Sequence, residues 1–246
     1  MKNAIPTILL LAALMATVPT RAAEKVDLLL VLAADVSRSM DEPKFKLQRS
    51  GYVEALTSAE VIQAIKSGPA GRIAIMFMEF SGADAQKVVL DWALISDESS
   101  AHRFADTLTE IPRSFDERTA IGAGIDFAAL QLKRTPFEAS RRTIDISGDG
   151  TSNVGRNVRV ARDEAIAAGI TINGIPILSS PPVVGSSDHT NPPGGLESYY
   201  LNNVVGGPGA FIMAADDFRS FGKALIRKLI AEVAEMPVAF GIAERR

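Results

Sequence analysis

The chain contains no cysteine among its 246 residues. This absence excludes disulfides, thiolate metal sites, cysteine nucleophiles and lipid attachment to an N-terminal cysteine. With 47% apolar and 22% charged residues, the composition is that of an ordinary globular protein, and the length is sufficient for one large core. We therefore expect a single domain whose stability comes from its core alone.

Histidine is also scarce, with only His102 and His189. His102 falls in a predicted helix, and His189 falls in a segment rich in Gly, Pro and Ser, where a lone histidine is usually solvated. No Gly-x-Ser-x-Gly motif occurs, so the sequence disfavours a serine hydrolase. Metal-assisted hydrolysis through acidic residues stays open as the alternative function.

Long apolar runs are lacking after the first two dozen residues. The early run, residues 5–18, follows Lys2 and precedes small residues, which is typical of an export signal. It is shorter than the roughly 18 apolar residues that a membrane anchor needs. We expect residues 1–22 to be a signal peptide, cleaved after Ala22, and the mature protein to be periplasmic or secreted, with no stable membrane anchor.

The formal net charge is −3, and cleavage would remove the positive charges of Lys2 and Arg21. A mildly acidic surface repels phosphate backbones, so nucleic acid is not the expected partner.

Short β-branched runs alternate with longer helical stretches, a pattern typical of parallel strands joined by crossover helices. We predict strands near residues 26–34, 72–80, 87–92, 142–147, 171–178 and 210–213. We predict helices near residues 43–55 (continuing to 65), 98–110, 120–132, 157–168 and 216–234. Only SGADAQ separates the second and third strands, so they should form an antiparallel pair at a sheet edge. The expected fold is a doubly wound α/β fold, with a mostly parallel six-stranded sheet and helices on both faces.

Oxygen-bearing side chains follow two of the predicted strands. In LLLVLAADVSRSMDE, the first strand is followed at alternate positions by Asp35, Ser37 and Ser39, and the fourth strand, TIDISGDG, ends at Asp149. In a doubly wound sheet these strands are neighbours where the winding reverses, and ligands bind there. Thr119 opens the helix just before the fourth strand.

Two adjacent carboxylates repel each other unless a cation lies between them. Carboxylates and hydroxyls form an all-oxygen set, which suits Mg²⁺ first and Mn²⁺ or Ca²⁺ next. Because the hydroxyls are neutral, the bound ion would still attract a carboxylate from outside. The sequence therefore predicts a cation site at the carboxyl end of the sheet.

Ordinary explanations exist for each of these residues. Ser39 and Glu42 have the spacing of a capping box, Thr119 can be a helix N-cap, and Asp149 with Gly150 is common in turns. Residues 150–157 nearly match a phosphate-binding loop but lack its lysine and the following Ser or Thr.

Asp145 and Glu79 are two further acids that lie close in sequence to the predicted site. Asp145 precedes Asp149 in the fourth strand, and Glu79 lies near the end of the second. We prefer Asp149 as the ligand because Asp145 would lie inside a central strand, where a buried acid needs a partner. Asp145 and Glu79 remain candidates for residues that orient the metal ligands without binding the metal themselves.

Three segments resemble the metal-ion-dependent adhesion site (MIDAS) of von Willebrand factor type A (vWA) domains. DVSRSM resembles the first segment, and RTAIGAGID and SGDGTSN are similar to the second and third, in the same order. The resemblance extends to small exported bacterial vWA-like proteins of unknown function. It implies a vWA-like domain over residues 24–236, followed by a tail at 237–246. The implied metal-coordinating residues are Asp35, Ser37, Ser39, Thr119 and Asp149.

The family resemblance also implies cation-dependent protein binding rather than catalysis, with an acidic side chain of the partner completing the metal shell. Residues 179–209, between the fifth and sixth strands, form a long segment rich in Gly, Pro and Ser, which is typical of functional or disordered loops. It contains Tyr199 and Tyr200, which are candidates for contact with the partner because tyrosines are favoured interface anchors. Alternatively, these tyrosines pack the loop onto its own domain through a short helix near residues 196–204.

Overall fold

The computed structural model describes residues 23–178 and 188–234. The predicted signal peptide, the predicted tail and residues 179–187 of the long segment lie outside the described residues. Within the described ranges, no helix is both long enough and apolar enough to cross a membrane.

The central sheet has five strands, in the order β4–β3–β2–β6–β7, and β4 is an antiparallel edge strand. These strands are β2 (Leu29–Asp35), β3 (Ile73–Phe80), β4 (Gln86–Ile95), β6 (Arg142–Gly148) and β7 (Thr171–Pro176). Two short strands, β1 (Glu24–Lys25) and β5 (Phe137–Glu138), pair with each other outside this sheet. The doubly wound fold with its antiparallel edge is confirmed, and β2 and β6 are neighbours where the winding reverses.

The predicted sixth strand at residues 210–213 was wrong. This segment runs beside β7 but makes only isolated bridges, from Gly174 to Ile212 and from Ile177 to Ala215. The chain enters it through Gly207 and Gly209, both with positive φ, a conformation that does not continue a strand. The sheet therefore has five strands instead of six.

Helices cover both faces of the sheet, as predicted. One face carries α1 (Glu42–Leu56), α2 (Ala59–Lys66), α3 (Glu98–Glu110) and α7 (Phe221–Val233). The other carries α4 (Ile121–Arg134), α5 (Val158–Ala167), α6 (Gly195–Tyr199) and a short π-helical turn (Tyr200–Val204). The predicted helix over 43–65 is divided in two because the side chain of Ser58 accepts a hydrogen bond from Val61 N and starts α2.

Strand β2 supplies both cores. All seven of its residues are buried, with Leu30 and Leu32 facing α1 and α7 and Leu29 and Val31 facing α4 and α5. A central parallel strand is covered on both faces, which explains why the sequence is continuously apolar here instead of alternating.

A cluster of charged side chains is buried between α7 and the sheet. Lys228 Nζ lies 2.8 Å from Asp145 Oδ1 and also contacts the Glu232 carboxylate. The Asn173 side-chain amide donates a hydrogen bond to Glu232 Oε1 at 2.6 Å. Burial raises the pKa of Asp145 to about 7, with Glu232 adding to the rise and Lys228 opposing it. Asp145 is therefore a paired acid of the core.

We expect Lys228→Met to lower the free energy of unfolding by about 3–5 kcal/mol, because it leaves two buried carboxylates without their ammonium partner. Urea denaturation at pH 8 measures this change. Lys223 is exposed on the same helix, so Lys223→Met is the matched control and should change stability by less than about 0.5 kcal/mol. Equal losses in the two variants would contradict a stabilising role for the buried ammonium.

The raised pKa of Asp145 also predicts how stability depends on pH. Because its pKa rises from 3.8 to about 7, the Asp145 carboxyl group takes up a proton on folding at any pH between these two values. Its contribution to stability is thus complete below pH 3.8 and is lost as the pH rises to 7. The difference in free energy of unfolding between Asp145→Asn and the wild type should therefore shift in favour of the variant, by about 1–3 kcal/mol, as the pH rises from 4 to 8, in addition to a pH-independent cost of losing the pairing with Lys228. Parallel stability curves from pH 4 to pH 8 would show that Asp145 does not titrate in this way.

Candidate metal centre

The ends of β2 and β6 bring together the residues that the sequence predicts as ligands. Asp35 is the last residue of β2, and Asp149 directly follows β6. The two strands are in register, with Ala34 beside Ser147, so both chains leave the sheet at the same level. Thr119 enters from the loop before α4.

Hydrogen bonds join these side chains into one network. Ser39 Oγ donates to Asp149 Oδ1 at 2.5 Å, and Thr119 Oγ1 donates to Ser37 Oγ at 2.7 Å. The two serine hydroxyls are 3.3 Å apart. Asp35 Oδ1 accepts a hydrogen bond from Ser37 N at 2.8 Å, whereas Asp35 Oδ2 is buried without a hydrogen-bond partner among the described residues.

The capping explanations for two of the hydroxyls were wrong. The N-cap of α1 is Asp41, whose side chain accepts a hydrogen bond from the first turn, so Ser39 does not cap this helix. The N-cap of α4 is Ala120, without a side-chain hydrogen bond. Ser39 and Thr119 are therefore not used as caps, and both hydroxyls point into the network.

The charge of the cluster is only partly balanced. Asp35 and Asp149 are almost completely buried, and burial together with the charge of Asp149 raises the pKa of Asp35 to about 7. The Ser37 N–H and Arg113 oppose this rise. Lys44 Nζ lies 3.1 Å from Asp149 Oδ2, so a cation already contacts one of the two acids.

The donor set fits a hard divalent cation. The orphaned Oδ2 of Asp35 is a carboxylate oxygen without a partner, and a cation there would relieve its repulsion with Asp149. No group of three or more His, Cys, Asp or Glu side chains suited to a metal ion occurs in the described part of the chain. A cation bound here would therefore take most of its protein ligands from hydroxyl groups.

Arg113 fixes the segment that carries the two serines, a role that no sequence motif indicates. Its guanidinium donates hydrogen bonds to the carbonyl oxygens of Val36 (2.7 and 3.1 Å), Ser37 (2.8 Å) and Met40 (2.8 Å). Four hydrogen bonds from one planar group hold this turn in a single conformation.

Glu79 and Asp145 do not contact the predicted ligands directly. Glu79 Oε2 accepts a hydrogen bond from Ser114 N at 2.8 Å, and its Oε1 lies 2.5 Å from Arg49 Nη2. It thereby anchors the loop that carries Arg113. Asp145 faces Lys228 in the core, so the acid beside the hydroxyls is Asp149.

His189 contacts the cluster, although the sequence suggested that it would be solvated. Its Nε2 lies 3.4 Å from Thr119 Oγ1, and its Nδ1 lies 3.3 Å from Thr151 Oγ1. The ring covers Gly150, where a β-carbon would collide with the imidazole. Burial lowers the pKa of His189, and the charge of Asp149 opposes this shift. The glycine after Asp149 was the only local signal of this contact.

The two tyrosines of the long segment differ in exposure. Tyr200 is completely buried and packs onto its own domain, which is the alternative arrangement, so its predicted contact with a partner stays a prediction. Tyr199 is half-buried, and its hydroxyl accepts a hydrogen bond from Ser152 N at 3.1 Å. Tyr199 also lines an open groove together with residues 152–159 and Asn203.

Solved structures of vWA-like proteins share this fold. A von Willebrand factor type A protein from Catenulispora acidiphila has a TM-score of 0.54 and 15% identity, covering 85% of this chain and 42% of that chain. PTMP1 from the mussel byssus, with a zinc-occupied MIDAS motif, has a TM-score of 0.56 and 16% identity, covering 85% and 46%. The pilus adhesin SpaC from Lactobacillus rhamnosus GG has a TM-score of 0.59 and 14% identity, covering 85% and 30%.

These likenesses establish a vWA-like fold, and the chain spans less than half the length of each of these three proteins. A family profile matches residues 25–237, and the chain belongs to that family, which is described as a protein of unknown function (DUF1194). No match was found among the curated proteins. The resemblance to vWA-like proteins inferred from the three sequence segments is confirmed.

The position of Arg113 predicts a loss of order in the turn that it holds. Arg113→Ala should speed the exchange of the amide protons of residues 36–40 and weaken Mn²⁺ binding about tenfold or more, because groups that orient ligands affect metal affinity on this scale. Hydrogen exchange and calorimetry measure the two effects. The matched control is Arg134→Ala, since Arg134 is exposed on α4. Exchange as slow as in the wild type would show that the turn is ordered without Arg113.

Proposed function

We propose that this protein is an exported binding module that captures a protein partner through a divalent cation at the ends of β2 and β6. The ligands would be Asp35, Ser37, Ser39, Thr119 and Asp149. The observation that carries the proposal is the orphaned Oδ2 of Asp35 within a buried network of hydroxyls and acids. The all-oxygen set favours Mg²⁺, followed by Mn²⁺ or Ca²⁺. The zinc in the MIDAS motif of PTMP1 supports divalent-cation binding at a site of this type.

The charge of this site suits capture of an acidic group. Two carboxylates balance one divalent cation, and the hydroxyls add no further negative charge. When bound, the cation would supply a positive centre that accepts one more oxygen ligand, such as a carboxylate of the partner. Arg38 and Arg118 are exposed and flank ligand residues in the sequence, so they would add to the attraction for an acidic surface.

Partner selection would depend on the surface around the cation, because the metal itself attracts any accessible carboxylate. The groove lined by residues 152–159, Tyr199 and Asn203 begins next to Thr151, which contacts His189. The ring of Tyr199 would provide contact area there, and the groove's polar walls would form hydrogen bonds. We assign recognition of the partner to this groove rather than to the buried Tyr200.

Metal-assisted hydrolysis is the second candidate function, and His189 is the observation that favours it. Its imidazole contacts Thr119, whereas His102 is exposed on α3 beside Glu98. We place protein binding first because a protein with the same fold, SpaC, is an adhesin. Assays with generic phosphate and ester substrates, with and without Mg²⁺, separate the two functions, since turnover that requires Mg²⁺ and His189 would favour hydrolysis.

The ligand assignment predicts that Asp35→Asn weakens Mg²⁺ and Mn²⁺ binding by at least about 100-fold while the domain stays folded. Folding should survive because Asp35 lies at the end of its strand and the variant removes a buried charge without removing volume. Calorimetry measures the affinity, and circular dichroism checks the fold.

Asp145→Asn is the matched control for this experiment, because it changes a buried acid on β6 that pairs with Lys228 instead. This control should bind the cation as the wild type does, whereas Asp149→Asn should lose most of its affinity. Undiminished binding by Asp35→Asn would refute the assignment.

A further inference from the structure

Tyr200 lies beneath the candidate metal centre, on the face of the sheet that α4 and α5 cover. It begins the π-helical turn, and its side chain is completely buried. Its hydroxyl has no hydrogen-bond partner among the described residues. Buried polar groups in folded proteins nearly always have partners, so an unpaired phenol calls for an explanation.

Two glycines on neighbouring strands make room for the Tyr200 ring. A β-carbon at Gly174 of β7 would lie 2.7 Å from Tyr200 Cδ1, and one at Gly148 of β6 would lie 2.9 Å from the phenol oxygen. Gly174 pairs with Ile146, so Gly148 is two residues closer to the strand end. The phenol therefore runs along the sheet towards the metal centre, and a side chain at either glycine would obstruct it.

The phenol oxygen and the carboxylate of Asp35 lie on either side of Gly148, and the two groups are not hydrogen-bonded to each other. The position of a β-carbon at Gly148, already 2.9 Å from the phenol oxygen, is also 2.9 Å from Asp35 Oδ2. Asp35 Oδ2 is itself a buried oxygen without a hydrogen-bond partner. A phenol is protonated at neutral pH, so the Tyr200 hydroxyl can act as a donor. One unpaired donor and one unpaired acceptor thus border the same small space.

We propose that Tyr200 is a positioning residue for Asp35, with its hydroxyl donating to the Asp35 carboxylate, directly or through one water, when the cation is bound. This inference rests on the proposed metal site. A carboxylate oxygen has two lone pairs, so Asp35 Oδ2 can accept a hydrogen bond from the protonated phenol and still contact a cation, and the phenol would then orient the carboxylate without being a metal ligand itself. Partners that orient a ligand in this way commonly change metal affinity by 10-fold to 100-fold.

Tyr200→Phe tests this role because it keeps the ring between the two glycines and removes only the oxygen. We expect the affinity for Mn²⁺, measured by calorimetry at pH 7.5, to fall about tenfold. We expect the thermal midpoint of the metal-free protein to stay level or rise by about 2–4 °C, because an unpaired buried hydroxyl is removed. A purely structural role does not produce these two opposite effects.

Tyr52→Phe is the matched control. Tyr52 is also fully buried, but it lies on α1 at the other face of the sheet, and its hydroxyl is 2.7 Å from Ser147 Oγ. This control should lower the thermal midpoint and leave the Mn²⁺ affinity within about twofold of the wild type.

Three results would overturn the inference. Unchanged Mn²⁺ affinity in Tyr200→Phe, with clear binding by the wild type, would leave Tyr200 as a packing residue only. A loss of affinity together with a lower metal-free midpoint would mean that the hydroxyl stabilises the fold rather than Asp35. No Mn²⁺ binding by the wild type would refute the proposed metal site, and the role of Tyr200 with it.

Discussion

The repulsion between two buried carboxylates, Asp35 and Asp149, is the constraint on which the structure at the carboxyl end of this sheet depends. The fold places them together because β2 and β6 are neighbours where the winding reverses and because both chains leave the sheet at the same level. Burial strengthens their interaction, since charges are screened less in the interior than in water. The surrounding groups reduce the repulsion only in part, through the Ser37 N–H at Asp35 and the Lys44 ammonium at Asp149.

Buried negative charge is balanced differently in the middle of strand β6 and at its carboxyl end. Inside the core, Asp145 faces an ammonium, Lys228, that belongs to a helix and cannot leave. At the strand end, Asp149 contacts the Ser39 hydroxyl and a partly exposed lysine, while the neighbouring Asp35 has an oxygen without a hydrogen-bond partner among the described residues. A resident ammonium suits a structural role because it is permanent. The unpaired carboxylate oxygen of Asp35, at the end of its strand, suits a cation that can exchange and can be shared with a partner molecule.

Much of the fold was predictable because its signals are local. The continuous apolar run of β2 indicated a strand covered on both faces, and the six residues between the predicted second and third strands were too few for a crossover. The alternation of Asp35, Ser37 and Ser39 correctly indicated that their side chains meet. The prediction of a strand at residues 210–213 was wrong. This segment follows Gly207 and Gly209, whose positive φ values do not suit a strand and are not apparent from a short apolar run.

The rest of the site depends on contacts between residues far apart in the chain. Ser39 and Asp41 are both good capping residues, and only the packing of Ser39 against Asp149 determines which one begins α1. His189 and Arg113 reach the cluster from loops and Tyr200 reaches it from the π-helical turn, and local sequence does not indicate the direction of these side chains. Gly148, Gly150 and Gly174 did carry information, since each leaves space for a ring from elsewhere. However, the sequence does not show which side chain packs against a glycine, so this role becomes clear only from the structure.

Two groups at the candidate metal centre are unfavourable in the metal-free fold. Asp35 Oδ2 and the Tyr200 hydroxyl are buried without partners, and such groups cost stability. A ligand that binds only the folded state stabilises it in proportion to its concentration and affinity, so a bound cation would offset this cost. Replacing either group with one that needs no partner would stabilise the metal-free protein and weaken its cation affinity, which is the usual conflict between stability and function at a site. The arrangement is therefore better explained by binding than by folding, because the described core is already well packed without it.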